Sequence, residues 1–313
     1  MLRPIRLLSL LLLVSWALCA PISAQADNGG AAIETVGPGM VNWTAGIVTA
    51  VGIGAPPEKA SSPGQARAMA ERAAFSVAIR NLLEAVKGIQ VDSATLVESY
   101  IVKDDVIKTR VTGLVKGAQV IKKEAQPDGG VEVTVGVSLT GELFDAVLSK
   151  GFGRKVPAAE PAKPAPPTPK APEPAPAPKM SEPAPVSKTP APPSPAVSAA
   201  EAYTGLLVDA RGLGLKPALA PRLLDEQGKE LYASAVLDRS KAVEAGVAGY
   251  AKDMVAGSRQ ARVTDNPLIV KGIKASGDKA TDITLGGEGA NAVRQSEPAS
   301  HFLQQGRVVV VYD

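Results

Sequence analysis

Cysteine, histidine and aromatic side chains are scarce in this sequence. The 313 residues include one cysteine, one histidine and two tryptophans, and aromatic residues make up 4% of the chain. So few cysteine and histidine side chains provide no ligand set for a zinc site and no pairs for disulfide bonds. Base-stacking platforms for nucleic acid need more aromatic surface than this chain supplies. We therefore expect no metal, no cofactor and no nucleic-acid partner.

The first 26 residues have the pattern of a secretory signal peptide. Arg3 and Arg6 precede the apolar run Leu7–Ala20, and small residues allow cleavage after Ala24 or Ala26. The alternative is a transmembrane anchor, which needs about 20 apolar residues, whereas this run has 14. We expect an exported, periplasmic protein without a membrane-spanning segment after cleavage.

Removal of residues 1–26 changes both the charge and the thiol content of the chain. The formal net charge is +3, and the loss of two arginines and no acidic residue leaves +1, which is not the basic patch that nucleic-acid binding requires. Cys19 follows Leu18, whereas lipidated cysteines normally follow a small residue. We therefore expect Cys19 to be removed with the signal peptide, so that the mature chain has no thiol.

A proline-rich segment divides the rest of the chain into two parts. Sixteen of the 27 prolines lie between Pro157 and Pro195, a composition that is too poor in apolar side chains to form a core. We predict a disordered linker over residues 154–200, which in the polyproline II conformation reaches on the order of 100 Å. The linker is either a functional spacer or a connection between domains without a function of its own. A third option is a proline-rich ligand for a recognition domain.

Residues 27–153 are predicted to form an α+β domain in which a helix packs on an antiparallel sheet. A strand is expected over Val41–Gly54. Ser62 and Pro63 mark the start of a helix that ends at Lys87, with Gly88 in the left-handed conformation. A turn at residues 127–130 then leads to the alternating strand Val131–Leu139, one arm of an antiparallel hairpin, and a short helix buries Leu143, Phe144, Val147 and Leu148.

The two faces of the long helix differ in side-chain size. Large apolar residues at helical spacing, which we expect to face the sheet, are Phe75, Ile79, Leu82 and Val86. The opposite face carries Ala66, Ala70, Ala73 and Val77. These small residues either admit a second helix or a neighbouring subunit, or reflect only the high helix propensity of alanine.

Residues 201–313 are predicted to form a second, β-rich α+β domain. The expected strands are Tyr203–Ala210, a hairpin within Arg222–Tyr232 about Gln227 and Gly228, Leu268–Lys274 and Arg307–Tyr312. The run Val308–Val311 is apolar without alternation, so we place it in the middle of a sheet that is covered on both faces. One helix is expected over Ala290–Gln295.

No catalytic or metal-binding residue is predicted, and the binding residues cannot be assigned from the sequence. His301 has no nucleophile-elbow sequence to accompany it. The glycine pairs Gly52/Gly54 and Gly212/Gly214 lack the phosphate-binding fingerprint and are interpreted as sites of tight bending or close packing. Asp209 and Arg211 are interpreted as a surface ion pair, and the glycosylation triplet at Asn42 as a chance match within a strand.

Five short segments carry a resemblance to a known family: Ala50–Gly54, Gln65–Ala74, Asn81–Leu83, Val111–Ala118 and Asp128–Leu139. In this order they resemble the domain of the bacterial Lpp-twenty-like lipoproteins, which also occurs in the flagellar assembly proteins FlgP and FlgT. The resemblance covers residues 40–150 and implies a non-enzymatic protein of the cell envelope near the outer membrane, although Leu18 departs from the lipoprotein pattern. Asp209–Pro217 and Asp265–Leu268 are similar to C-terminal regions of such envelope proteins.

These expectations lead to one functional hypothesis and one alternative. The hypothesis is a non-enzymatic scaffold or assembly factor of the periplasm or outer membrane, serving flagellar or other envelope structures. Its partners would be other envelope proteins or further copies of itself, and the linker would hold the second domain at a distance. The alternative is a tethered module whose C-terminal domain binds peptidoglycan or another envelope ligand.

Overall fold

The computed structural model describes residues 30–148 and 203–313. The predicted signal peptide, Cys19 and the predicted linker (154–200) lie outside the described residues. Within them, no helix is long and apolar enough to cross a membrane.

The N-terminal domain is a five-stranded antiparallel sheet with helices, as predicted. Its elements are β1 (Ile33–Val36), β2 (Gly39–Asn42), β3 (Ile47–Gly54), α1 (Pro63–Lys87), α2 (Val97–Lys103), α3 (Asp105–Lys116), β4 (Gln119–Ala125), β5 (Val131–Ser138) and α4 (Glu142–Leu148). The strands lie in the order β1-β2-β3-β5-β4, and all neighbours are antiparallel. The hairpin that ends in the alternating strand is confirmed as β4–β5, and α4 buries the four predicted apolar residues.

Helix α1 begins where the sequence predicts it. The Ser62 hydroxyl accepts a hydrogen bond from the Gln65 amide at 3.1 Å, and Pro63 occupies the first turn. The predicted left-handed Gly88 is wrong, because its φ is −76°. Glycine is needed there because the chain passes close to Val36, and a Cβ at this position would lie 2.7 Å from a methyl group of that residue.

The sheet-facing side of α1 combines buried alanines with Leu82 and Val86, so the prediction for the large apolar face is correct only in part. Ala70, Ala74 and Ala78 are fully buried, whereas Phe75 and Ile79 are only partly buried at the side of the core. A Cβ on Gly52 would lie 2.2 Å from the Ala74 carbonyl oxygen, so the helix backbone rests directly on the strand. The interpretation of Gly52 and Gly54 as sites of close packing is therefore confirmed.

The predicted continuous strand Val41–Gly54 is wrong. A turn over residues 43–46 separates β2 from β3, and Gly46 adopts a φ of +65°. The two strands form an antiparallel hairpin in which Val41 faces Val48. The alternating apolar residues continue through the turn, which hides the break in the sequence pattern.

The C-terminal domain is a seven-stranded mixed sheet with three helices, consistent with a β-rich α+β domain. Its elements are β6 (Gly205–Asp209), β7 (Leu223–Leu224), β8 (Glu230–Tyr232), α5 (Arg239–Ala245), β9 (Gly249–Ala251), α6 (Met254–Ser258), β10 (Pro267–Ser276), β11 (Asp282–Leu285), α7 (Gly287–Ser300) and β12 (Val308–Val311). The strand order is β8-β7-β11-β10-β6-β12-β9. Strand β12 is fully buried between β6 and β9 and parallel to both, which confirms its predicted central position.

The two domains are in direct contact, so the expectation that the linker holds them apart is wrong. The Leu219 and Ala220 amides donate to the Gln90 and Val91 carbonyls at 3.0 and 2.8 Å. The Trp43 ring meets Tyr250 edge-on, with centroids 5.5 Å apart. Because one hydrophobic cluster contains buried residues of both domains, the described residues form a single packed unit.

Candidate functional sites

The sequence-derived candidates have structural roles in the described residues. His301 ends α7 in a left-handed conformation with φ +50°, and its amide donates to the Glu297 carbonyl. Gly212 and Gly214 adopt positive φ values in a tight turn. No group of three or more potential metal-ligating side chains occurs within 30–148 and 203–313.

Asp209 and Arg211 form the ion pair that was predicted at the end of β6. Both oxygens of Asp209 accept hydrogen bonds from the Arg211 guanidinium at 2.8 Å, and these bonds hold the pKa of the carboxyl below its usual value. Since the Arg211 side chain is substantially exposed, the pair stabilises the turn only weakly.

The glycosylation triplet at Asn42 lies at a turn instead of within a continuous strand. The Asn42 side-chain oxygen accepts a hydrogen bond from the Ala45 amide at 2.8 Å, and Trp43 is buried at the domain contact. The Asn42 side chain therefore orders the β2–β3 turn.

The N-terminal sheet has one covered face and one open face. Helix α1 covers the face that carries Val48 and Ala50, which are buried. The alternate residues of β3, from Ile47 to Ile53, are half-buried or exposed, and Ile53 is 62% exposed. We call this surface the open face; its other exposed apolar side chains are Ile33, Met40 and Ile121.

Glycine brings apolar side chains together on the open face. A Cβ on Gly136 of β5 would lie 2.6 Å from Ile121 Cδ1 and 3.2 Å from Ile47 Cδ1. The two isoleucines therefore lie over Gly136 and border a hollow of about 450 Å³ that Leu114 and Leu143 also line. An apolar surface of this kind on a folded domain is typical of an interaction site.

Strand β4 forms the edge of the same sheet, and among the described strands β5 alone pairs with it. All seven of its residues are exposed. On the α1 side, Phe75, Val120 and Val133 line a second hollow of about 490 Å³. We call β4 with its unpaired backbone groups the free edge. The sequence analysis identified neither the open face nor the free edge, although apolar residues alternate along β3 and β4.

A smaller cleft of about 220 Å³ lies between the two domains, with Trp43, Tyr250, Gln260 and Arg262 in its walls. The Arg262 guanidinium donates to the carbonyl of Gly306 at 2.9 Å and to those of residues 245 and 246 at the end of α5. Burial lowers the pKa of this guanidinium. Its acceptors in the described residues are carbonyl oxygens, so it ties the end of α5 to the loop that precedes β12.

A buried ion pair supports the domain contact. Asp282 is fully buried and accepts hydrogen bonds from Arg222 Nη2 and Nε at 2.5 and 3.1 Å. The same guanidinium donates to the Ser93 hydroxyl of the N-terminal domain at 3.3 Å. The hydrogen bonds to Asp282 raise the pKa of the Arg222 guanidinium, so this group stays charged across the ordinary pH range.

The comparisons with known proteins concern the C-terminal domain. Residues 205–313 match a family model described as the second domain of Treponema pallidum Tp0624. No curated protein matches the chain. The match begins at β6 and extends through β12, so this domain is similar to the second domain of Tp0624, whereas the Lpp-twenty-like resemblance of residues 40–150 stays a prediction.

Proposed function

We propose that the protein is a non-enzymatic scaffold or assembly factor of the bacterial cell envelope. The open face of the N-terminal sheet carries this proposal. It combines an antiparallel strand surface with half-exposed isoleucine and methionine side chains, a composition that favours docking of another protein surface. The predicted signal peptide and the envelope proteins that residues 40–150 resemble supply the periplasmic or outer-membrane setting.

The shared core of the two domains supports a scaffold in which geometry matters. Because both domains belong to one packed unit, a partner on the open face is held in a fixed orientation relative to the C-terminal domain. Partners would be envelope proteins or further copies of the chain. Flagellar assembly is the process that the resemblance favours.

The experiment compares two lysine substitutions at exposed isoleucines in the source bacterium. Ile53→Lys places a charge on the open face, and Ile269→Lys does the same at a residue of similar exposure, 59%, in the C-terminal domain. We expect gene deletion and Ile53→Lys to impair motility or envelope integrity, while Ile269→Lys does not. Normal motility together with a normal envelope in the deletion strain would refute the scaffold function.

A second candidate is the binding of peptidoglycan or another envelope ligand, which the cleft between the domains favours. Thr44, Gln260 and Arg262 bring hydrogen-bonding groups to a wall that also contains Trp43, a combination suited to a polar ligand with a short apolar part. Purified full-length protein should then sediment with isolated sacculi, and Gln260→Leu should weaken this more than the exposed control Gln305→Leu. Absence of sedimentation would remove this candidate.

A further inference from the structure

The free edge points to a specific partner. We propose that two copies of the chain pair antiparallel along β4, about a two-fold axis at Lys123, so that Lys122 of each copy lies opposite Glu124 of the other. The inference rests on the proposed scaffold function, for which it names the partner at the free edge.

The backbone of β4 is oriented for such pairing. At the turn, the Gln126 amide donates to the Gly130 carbonyl at 2.8 Å, so residue 126 directs its backbone groups toward β5. Alternate residues of an antiparallel strand point the same way, and Glu124 and Lys122 therefore also bond toward β5. Lys123 and Ala125 direct their amide and carbonyl groups outward, where no described strand pairs with them.

Charge selects the register. Pairing centred on Lys123 places Lys122 opposite Glu124 twice, on the open-face side of the sheet, and opposite-charge pairs across strands are favourable. The two residues already contact each other within one copy, Lys122 Nζ lying 2.7 Å from Glu124 Oε1. A register centred on Lys122 would instead oppose two Lys122 side chains and leave each Glu124 opposite Val120.

The protective features of this edge do not block the proposed register. Lysines and bulges commonly keep edge strands unpaired, and β4 has a bulge between Val120 and Lys122. The bulge lies at one end of the short paired segment, residues 121–125. The two Lys123 side chains would meet at the axis, but each forms an ion pair with Glu71 of its own α1, which offsets their repulsion.

Pairing would also cover apolar surface next to the edge. The hollow lined by Phe75, Val120 and Val133 is open beside β4. A second β4 would border its open side, and the hollows of the two copies would face each other across the axis. The partner that supplies both the complementary charges and the matching hollow is a second copy.

Disulfide cross-linking tests the register directly. In a Cys19→Ser background, Lys123→Cys places two thiols at the axis, where paired Cα atoms are about 5.5 Å apart, within the range that a disulfide requires. Gln119→Cys is the control, since its two copies would be about 27 Å apart at the usual rise per residue. We expect oxidation to link the Lys123→Cys variant into dimers and to leave the control monomeric. No link through residue 123, or equal linking of both variants, would overturn the register.

Charge reversal tests the pairing without cysteine. By sedimentation, Lys122→Glu and Glu124→Lys should each weaken dimerisation about tenfold or more, and the double variant should restore it to within about threefold. Circular dichroism and melting temperature control for folding of each monomer. A parent protein that stays monomeric up to about 1 mM, or a double variant as weak as the single variants, would overturn the proposal.

The outcomes separate this inference from the scaffold function. If both tests fail while Ile53→Lys still impairs the envelope, self-pairing is refuted and the scaffold function stands. If the copies pair as expected but the deletion strain is normal, the dimer stands and the scaffold function is refuted.

Discussion

Replacement of Gly52 by alanine should destabilise the N-terminal domain more than any exposed substitution described above. The added Cβ would lie 2.2 Å from both the Ala74 carbonyl oxygen and the Ala78 amide nitrogen. These are backbone atoms of α1, so no side chain can rotate away. Helix and strand would have to separate by about 1.2 Å to reach an ordinary contact of 3.4 Å.

The expected cost follows from this displacement. Overpacking of a core typically lowers the free energy of unfolding by about 1–3 kcal/mol. We expect about 3 kcal/mol for Gly52→Ala, because the atoms that the new Cβ meets belong to the helix backbone and cannot move aside. For a unit of this size the melting temperature should fall by about 6–12 °C. Urea unfolding followed by circular dichroism measures the change in the free energy of unfolding.

Gly113→Ala is the matched control for this substitution. Gly113 lies in α3 with no atom within 4 Å of its added Cβ, so alanine should stabilise the domain by about 0.5–1 kcal/mol. If the free energy of unfolding of Gly52→Ala lies within about 0.5 kcal/mol of the parent's value, α1 does not rest on the backbone of β3, and the reasoning is refuted.

Three further predictions concern the C-terminal domain and its contact with the N-terminal domain. Tyr250→Phe should lower the free energy of unfolding by about 1–3 kcal/mol, because the buried Tyr250 hydroxyl accepts a hydrogen bond from the Ala218 amide and donates one to the Ala218 carbonyl. The control is Tyr100→Phe, which changes a partly exposed tyrosine. Asp145 bonds Arg110 of its own domain and Arg239 of the other, and these bonds lower the pKa of its carboxyl. The stabilising effect of Asp145 should therefore be present at neutral pH and lost as the pH falls below about 4. In the Asp145→Asn variant, the free energy of unfolding should accordingly depend less on pH in the acid range. Cleavage at a protease site inserted within residues 154–200 should leave two fragments that co-elute in gel filtration, and their separation would contradict the shared core.

The regular elements with strong local signals could be predicted from the sequence. Ser62 and Pro63 mark the start of α1, and the valine alternation of β5 indicates a strand with one buried face, because both signals depend on neighbours along the chain. The burial of Ala74 and Ala78 on the sheet-facing side of α1 could not be predicted in this way. It is decided by Gly52 and Gly54 on another element, which admit alanine where larger side chains would normally pack.

The domain contact and the candidate surfaces were beyond the sequence for a similar reason. The contact uses backbone groups of Gln90 and Val91, which leave no side-chain pattern. The open face escaped notice because Ile47 and Ile53 are apolar and, without the sheet order, do not differ from core residues. The free edge depends on the place of β4 in the sheet, and strand order is a property of the tertiary fold.

The position of β12 has a consequence for the order of folding. This strand lies between β6 and β9, yet its partner residues in β6 precede it by about a hundred residues, Leu206 facing Val308. During synthesis the chain emerges N-terminus first. The apolar edges of β6 and β9 that face β12 therefore stay unpaired until β12 has been synthesised. Long-range parallel pairing is intrinsically slow. The N-terminal domain, whose last strand β5 precedes β6 in the chain, is therefore expected to fold first and to offer the surface on which the later domain completes its sheet.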